Sequence, residues 1–289
     1  MGGSLLTQVF CCGMFVPMKR AFGFGFMIAI SLFCAVEAFS STVISPFAQG
    51  VIDSFMTVRM NLSLSSSNEE ALLKIDAFEN ERRSDIDSKC TEEEKIILSN
   101  FFLLERYNYL RDDASNTESL KKQFSAQNDV IQAWFSSHKS ETPNRWLYVT
   151  AGDVVSVCMS FDPVRMALKY GVTVKKYYEE ALAQDNNMSY ALTNLAQWYW
   201  YAPGITGGSK KTARELFKKA LDSAHTDAER YFALVFMSQV AFDEKNKTLA
   251  ADYLSQADSY APGGSYVASV KSMNEAGYSL FTSHSRKAN

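Results

Sequence analysis

Few residues in this chain have the type and spacing to do covalent chemistry. Lys210 and Lys211 follow a glycine-bearing stretch, QWYWYAPGITGGSKKT, which covers residues 197–212. A glycine-rich turn in front of a lysine can cradle phosphate, but that motif needs two glycines five apart with lysine directly after the second. Five residues beyond Gly204 stands Ser209, and no glycine directly precedes either lysine. His138, His225 and His284 are far apart and outside any metal-ligand spacing. No nucleophile elbow or kinase signature is present. Glu92-Glu93-Glu94 and Glu179-Glu180 read as solvated helix faces. The sequence therefore predicts no catalytic residues, no metal and no cofactor, and points to recognition, not to an enzyme.

The elements that would carry recognition are helices. The chain has 289 residues, 47% of them hydrophobic, and a formal net charge of −3. That suits one or two globular domains and gives no basic face for nucleic acid. Only 6 prolines and 14 glycines punctuate it, too few for an all-β protein. Lys19-Arg20 precedes an apolar run, AFGFGFMIAISLFCA, that ends near Val36-Glu37-Ala38. A positive flank, a short apolar core and small residues at the exit are the layout of a secretory signal peptide over residues 1–38, with Met18 as an alternative start. Export to a periplasm follows. Cys34 near the end of the run leaves a lipid anchor open, and an uncleaved leader is the other mode of attachment. Cleavage would leave Cys90 and Cys158, either as a disulfide or as buried thiols.

Residues 39–281 read as one α-helical domain, with 282–289 a frayed tail. A first helix is predicted from Val43 to Met56 by its period, and residues 63–68 read as a loop. Thr91 and Glu94 form a capping box ahead of Ile96, Ile97, Phe101 and Leu104. Amphipathic runs follow from Leu120 to Phe135 and from Trp146 to Phe161. Asp162-Pro163 opens another, since Asp caps well and proline is tolerated at the first helical position. Gly171 is its expected weak point.

An internal repeat runs through about 146–262. Small, large and small residues recur on one helix face at Val174, Tyr178 and Ala181, at Ala213, Phe217 and Ala220, and at Ala250, Leu254 and Ala257. Partner helices precede two of these sets, with Leu192, Leu195, Ala196 and Tyr199, then Leu234, Met237, Ser238 and Ala241. Small residues let paired helices approach, and the large ones fill the gap to the next pair. The pattern predicts antiparallel helix pairs forming a TPR-like α-solenoid. The interval from Leu192 to Ala213 exceeds that from Leu234 to Ala250 by five residues, so residues 202–208 read as an enlarged turn and Ser209 as a helix cap.

The order of features from Asp162 to Tyr260 goes beyond a generic repeat. An Asp-Pro opening, DPVRMALKYGVTVKKYYEEALAQD, is followed by a helix, a Pro-Gly…Gly-Gly turn and KKTARELFKKAL. This order resembles the T-component (TatT) family of TPR proteins associated with TRAP-type periplasmic solute transporters. The resemblance implies an exported all-α protein, a solute-binding P subunit as partner, self-association and a pocket for an apolar small molecule. In a TPR superhelix the first helices line the concave face. That register places Tyr190, Thr193, Gln197, Trp200, Tyr201, Phe232, Val235, Gln239 and Phe242 on an open inner wall, with Trp146 and Val149 in a looser register. Aromatic rings with a few amides fit small-ligand sites and interface anchors.

Overall fold

Ser45 accepts a hydrogen bond from the Ala48 backbone N–H, and Pro46 needs no donor in the first turn, so helix α1 starts there and runs Pro46–Leu62. The computed structural model describes residues 43–282, the side chains of 164–168 excepted. The leader, Cys34 and residues 283–289 lie outside the described residues. After α1 come α2 (Asn68–Lys89), α3 (Glu92–Leu110), α4 (Thr117–Ser137), α5 (Arg145–Phe161), α6 (Pro163–Gln184), α7 (Ser189–Tyr201), α8 (Lys210–Asp222), α9 (Asp227–Asp243), α10 (Lys247–Asp258) and α11 (Ser265–Glu275). The fold is all-α, with no strand among the described residues, and none of their helices is long and apolar enough to cross a membrane.

Local chemistry explains the boundaries. The capping box at Thr91 and Glu94 forms, and a second one at Thr226 and Glu229 opens α9. Ser67, Asn144 and Ser209 each cap the helix that follows. The expected weak point in α6 does not appear: the helix runs unbroken past Gly171. One glycine inside 22 residues costs only about 1 kcal/mol relative to alanine, which tertiary packing overrides.

Three helix pairs pack most extensively, α5 with α6, α7 with α8 and α9 with α10. Their small-large-small triplets are the contact. Val174, Tyr178, Ala181, Ala213, Phe217, Ala220 and Ala257 are fully buried, and Ala250 and Leu254 nearly so. The turn between α7 and α8 shows why its glycines are there. Gly207 adopts φ +95°, and a Cβ on Gly208 would stand 1.7 Å from the Ala202 carbonyl oxygen. That close crossing lets the Ser209 N–H reach the Tyr199 carbonyl at 2.9 Å, which binds the end of one helix to the start of the next. The stretch is a joint between two helices, and its lysine Lys210 lies 3.8 Å from Asp243 and over the Trp200 ring.

One expectation needs correction. Glu93 and Glu94 are buried rather than solvated. Glu93 accepts from the Asn144 backbone N–H at 2.6 Å, and Glu94 accepts from the Ser45 N–H at 2.5 Å. Each carboxylate thus satisfies the first residues of a distant helix. Cys90 and Cys158 are both free thiols, and burial pushes the Cys158 thiol up to about 12, so it stays neutral.

Candidate functional site

Helix α5 carries one acid, Asp153, 5% exposed. A buried carboxylate is costly unless donors satisfy it. Three side chains from two other helices do so. Tyr178 of α6 donates its hydroxyl at 2.8 Å to Oδ1, and Tyr190 of α7 donates at 2.8 Å to Oδ2. Asn194 of α7 donates its amide to both oxygens, at 2.8 and 3.1 Å. Burial nonetheless raises the Asp153 carboxyl to about 7, against the pull of the two tyrosine hydroxyls, the Arg59 guanidinium and Asn194. Burial and the Asp153 charge together hold the Tyr178 and Tyr190 phenols well above their ordinary range.

The second charge comes from α1. Arg59 has the register of Ile52, Phe55 and Met56, the buried face of that helix. Its Nε donates to Glu105 of α3 at 2.7 Å, a pair that is buried on both sides. Its guanidinium lies 5.6 Å from the Tyr190 ring centre and 5.4 Å from that of Phe232. Burial pulls the Arg59 pKa down, but Glu105, Tyr190 and Asp153 together more than offset it, so Arg59 stays charged. A cation between two rings, anchored by a carboxylate, fixes where α1 crosses the faces of α7 and α9.

Beside these groups is a cavity of about 40 Å³. Tyr190, Thr193, Gln197 and Phe232 line it, together with Arg59, Asp153, Asn194, Met56 and Asn108. Space of that size holds a small cluster of waters or a ligand of a few atoms. A smaller cavity of about 20 Å³ adjoins it beyond Arg59 and Phe232, walled by Tyr109, Tyr231 and Tyr266. The Asn108 Oδ1 and the Tyr231 and Tyr266 hydroxyls are buried there without a hydrogen-bond partner among the described residues.

Four of the ten predicted wall residues meet at this cavity, and the other six do not. Trp146 is buried, donates from Nε1 to Gln49 of α1 at 3.0 Å, and packs 5.6 Å from the Phe101 ring. Trp200 is buried and stacks on Phe281 at 4.0 Å. The Tyr201 hydroxyl donates to the Leu280 carbonyl at 3.4 Å. Val235 and Gln239 are fully buried, and the Gln239 Oε1 accepts from the Leu280 N–H at 2.9 Å. Phe242 packs with Ala241 and Ala250. Val149, in the looser register, is also fully buried. The wall is therefore not open at these positions. Helix α1 lies against Trp146, and residues 280–281 lie against Trp200, Tyr201 and Gln239, so side chains that would face water are covered instead.

The charged members, Arg59, Glu105 and Asp153, were not among the expected site residues. A signal for two of them exists in the sequence: each is a lone charge on the apolar face of a helical run, MTVRMNL for Arg59 and TAGDVVS for Asp153. Their partners lie 25 to 46 residues away and cannot be paired by spacing. Among the described residues no group of three or more His, Cys, Asp or Glu side chains is placed to hold a metal. With its oxygens taking four donated hydrogen bonds, Asp153 is built to hold an arrangement or a charge in place, and would have to release a donor to act as a base. Neither a scan against protein-family models nor a search of curated proteins returns a match to this chain.

Proposed function

We propose that the chain is a binding protein built as a TPR-like α-solenoid, and that it serves as the T-component beside a TRAP-type solute transporter with the solute-binding P subunit as its partner. The observation that carries the reading is the placing of Tyr190, Thr193, Gln197 and Phe232 around one cavity, on faces of α7 and α9 that the repeat register assigns to the inner wall. Two further features support it. The small-large-small triplets are the buried seams of three helix pairs. The Pro-Gly…Gly-Gly turn is a tight joint whose Gly208 admits no side chain. On this reading the leader directs export to the periplasm, and Cys34 or the uncleaved leader holds the protein at the membrane. Self-association belongs to the same reading.

The test is a titration of the purified exported chain with the purified P subunit from the same genome, followed by size-exclusion chromatography and calorimetry. A saturable complex is expected. Two folded proteins that elute separately at tens of micromolar would end the transporter assignment.

A second reading, a cell-envelope scaffold with no small ligand, is favoured by the covering of Trp200 and Gln239 by residues 280–281. Native mass spectrometry after gentle extraction separates the two. A retained small molecule speaks for the binding protein, a bare chain for the scaffold, and the same spectrum reads the oligomeric state.

A further inference from the structure

We propose that the cavity beside Asp153 is a binding site for a small organic cation, a molecule of a few heavy atoms carrying a primary ammonium group. This rests on the reading above that the cavity is used for binding, and not on the identity of the transporter partner.

Charge balance is the first argument. One cation and two carboxylates are buried around the cavity. Arg59 spends its charge on Glu105, at 2.7 Å, and Glu105 also accepts from Asn108 Nδ2 at 3.2 Å. Asp153 has no ion-pair partner among the described residues; Tyr178, Tyr190 and Asn194, which reach it, are all neutral. Glu229, half-buried at the rim, is a further carboxylate. No lysine or histidine lines the cavity. Above about pH 7, where the Asp153 carboxyl is ionised, the site thus lacks one positive charge, and a buried charge without a counterpart is stabilised most by a ligand that supplies it.

Hydrogen-bonding capacity is the second argument. The Gln197 Oε1 receives no hydrogen bond from the described residues, and the Asn108 Oδ1 is buried without a donor. An ammonium group brings three donors and no acceptor, which suits these two free oxygens. A carboxylate ligand would compound the negative excess. Its only cationic partner would be Arg59, which already faces Glu105 and Asp153. Size is the third argument: about 40 Å³ excludes a lipid chain and admits only a short molecule.

The experiment is calorimetric titration of the full chain at pH 8, where Asp153 is ionised, with n-propylammonium chloride, and with sodium propionate and 1-propanol as probes of equal length. Saturable binding of the amine is expected, at least tenfold tighter than either control, and Asp153→Asn should weaken it at least tenfold. Gln197→Met removes an acceptor at the cavity without touching Asp153, and should weaken the amine severalfold. That variant decides the matter if Asp153→Asn does not fold. Propionate or propanol binding as tightly as the amine would overturn the proposal. So would an absence of amine binding, which leaves a cavity for water only, or an amine affinity unchanged in both folded variants. Amine binding without a P-subunit complex would defeat the transporter assignment alone. A P-subunit complex without amine binding would defeat the ligand class alone.

Discussion

At the scale of single residues, Asp153 sets a measurable pH dependence. Its carboxyl rises from an ordinary 3.8 to about 7 in the fold, chiefly through burial. The native protein then binds the proton more tightly than the unfolded chain. Between these two values the native state carries the extra proton, so stability falls as pH rises. The contribution is whole below about pH 4 and gone above about pH 7. Glu94 works in the opposite sense: backbone and hydroxyl donors hold its carboxyl below the ordinary range against burial, so its contribution is lost on acidification. Comparing the wild-type chain with Asp153→Asn isolates the Asp153 part. Urea midpoints at intervals from pH 4 to 8 should show the wild type losing stability relative to the variant, by on the order of 4 kcal/mol across the window. A constant difference would mean that Asp153 does not titrate in that range. The lone charge in TAGDVVS could be seen in the sequence; what could not be seen were the hydroxyls of Tyr178 and Tyr190, which only the packing of α5, α6 and α7 brings to it.

At the scale of elements, much was legible because it is local. Caps at Thr91 and Ser209, the proline at the start of α6 and the small-large-small triplets are short-range patterns, and each lies where its chemistry predicts. The burial of Glu93 and Glu94 was not legible, because their partners Asn144 and Ser45 are about fifty residues away. The inner wall illustrates both halves. Helical period groups Trp200 with Gln197 and Tyr201, but period says nothing of what lies across them. Here Phe281 does, stacked on Trp200 at 4.0 Å and 5.7 Å from Phe217. Phe281→Ala should therefore cost about 3 kcal/mol. It should also uncover the Trp200 indole, seen as a red shift of tryptophan emission in the folded state. An unchanged spectrum and melting temperature would show that the cover contributes nothing.

At the scale of the whole molecule, α1 packs on α9, and the residue after α1 reaches the start of α11. The Ser63 carbonyl, just past α1, accepts from both the backbone N–H and the hydroxyl of Ser265 at 2.7 and 2.8 Å, where α11 begins. These residues are 202 apart in sequence, and no repeat period predicts their contact. Removing residues 264–289 takes away α11 and the cover over Trp200 together. The truncated chain should lose its sharp urea transition entirely, with circular dichroism at 222 nm declining gradually. A truncated protein that still unfolds in one step would show the remaining helices to be self-sufficient.

Stacked repeats ordinarily melt from whichever edge is weakest, one module at a time. Here Ser63, just past the first helix, is clasped to Ser265 at the start of the last, which closes off one such edge. Heat or force must break the clasp before that edge can peel, which should turn gradual fraying into a single event and leave proteases few early sites to cut.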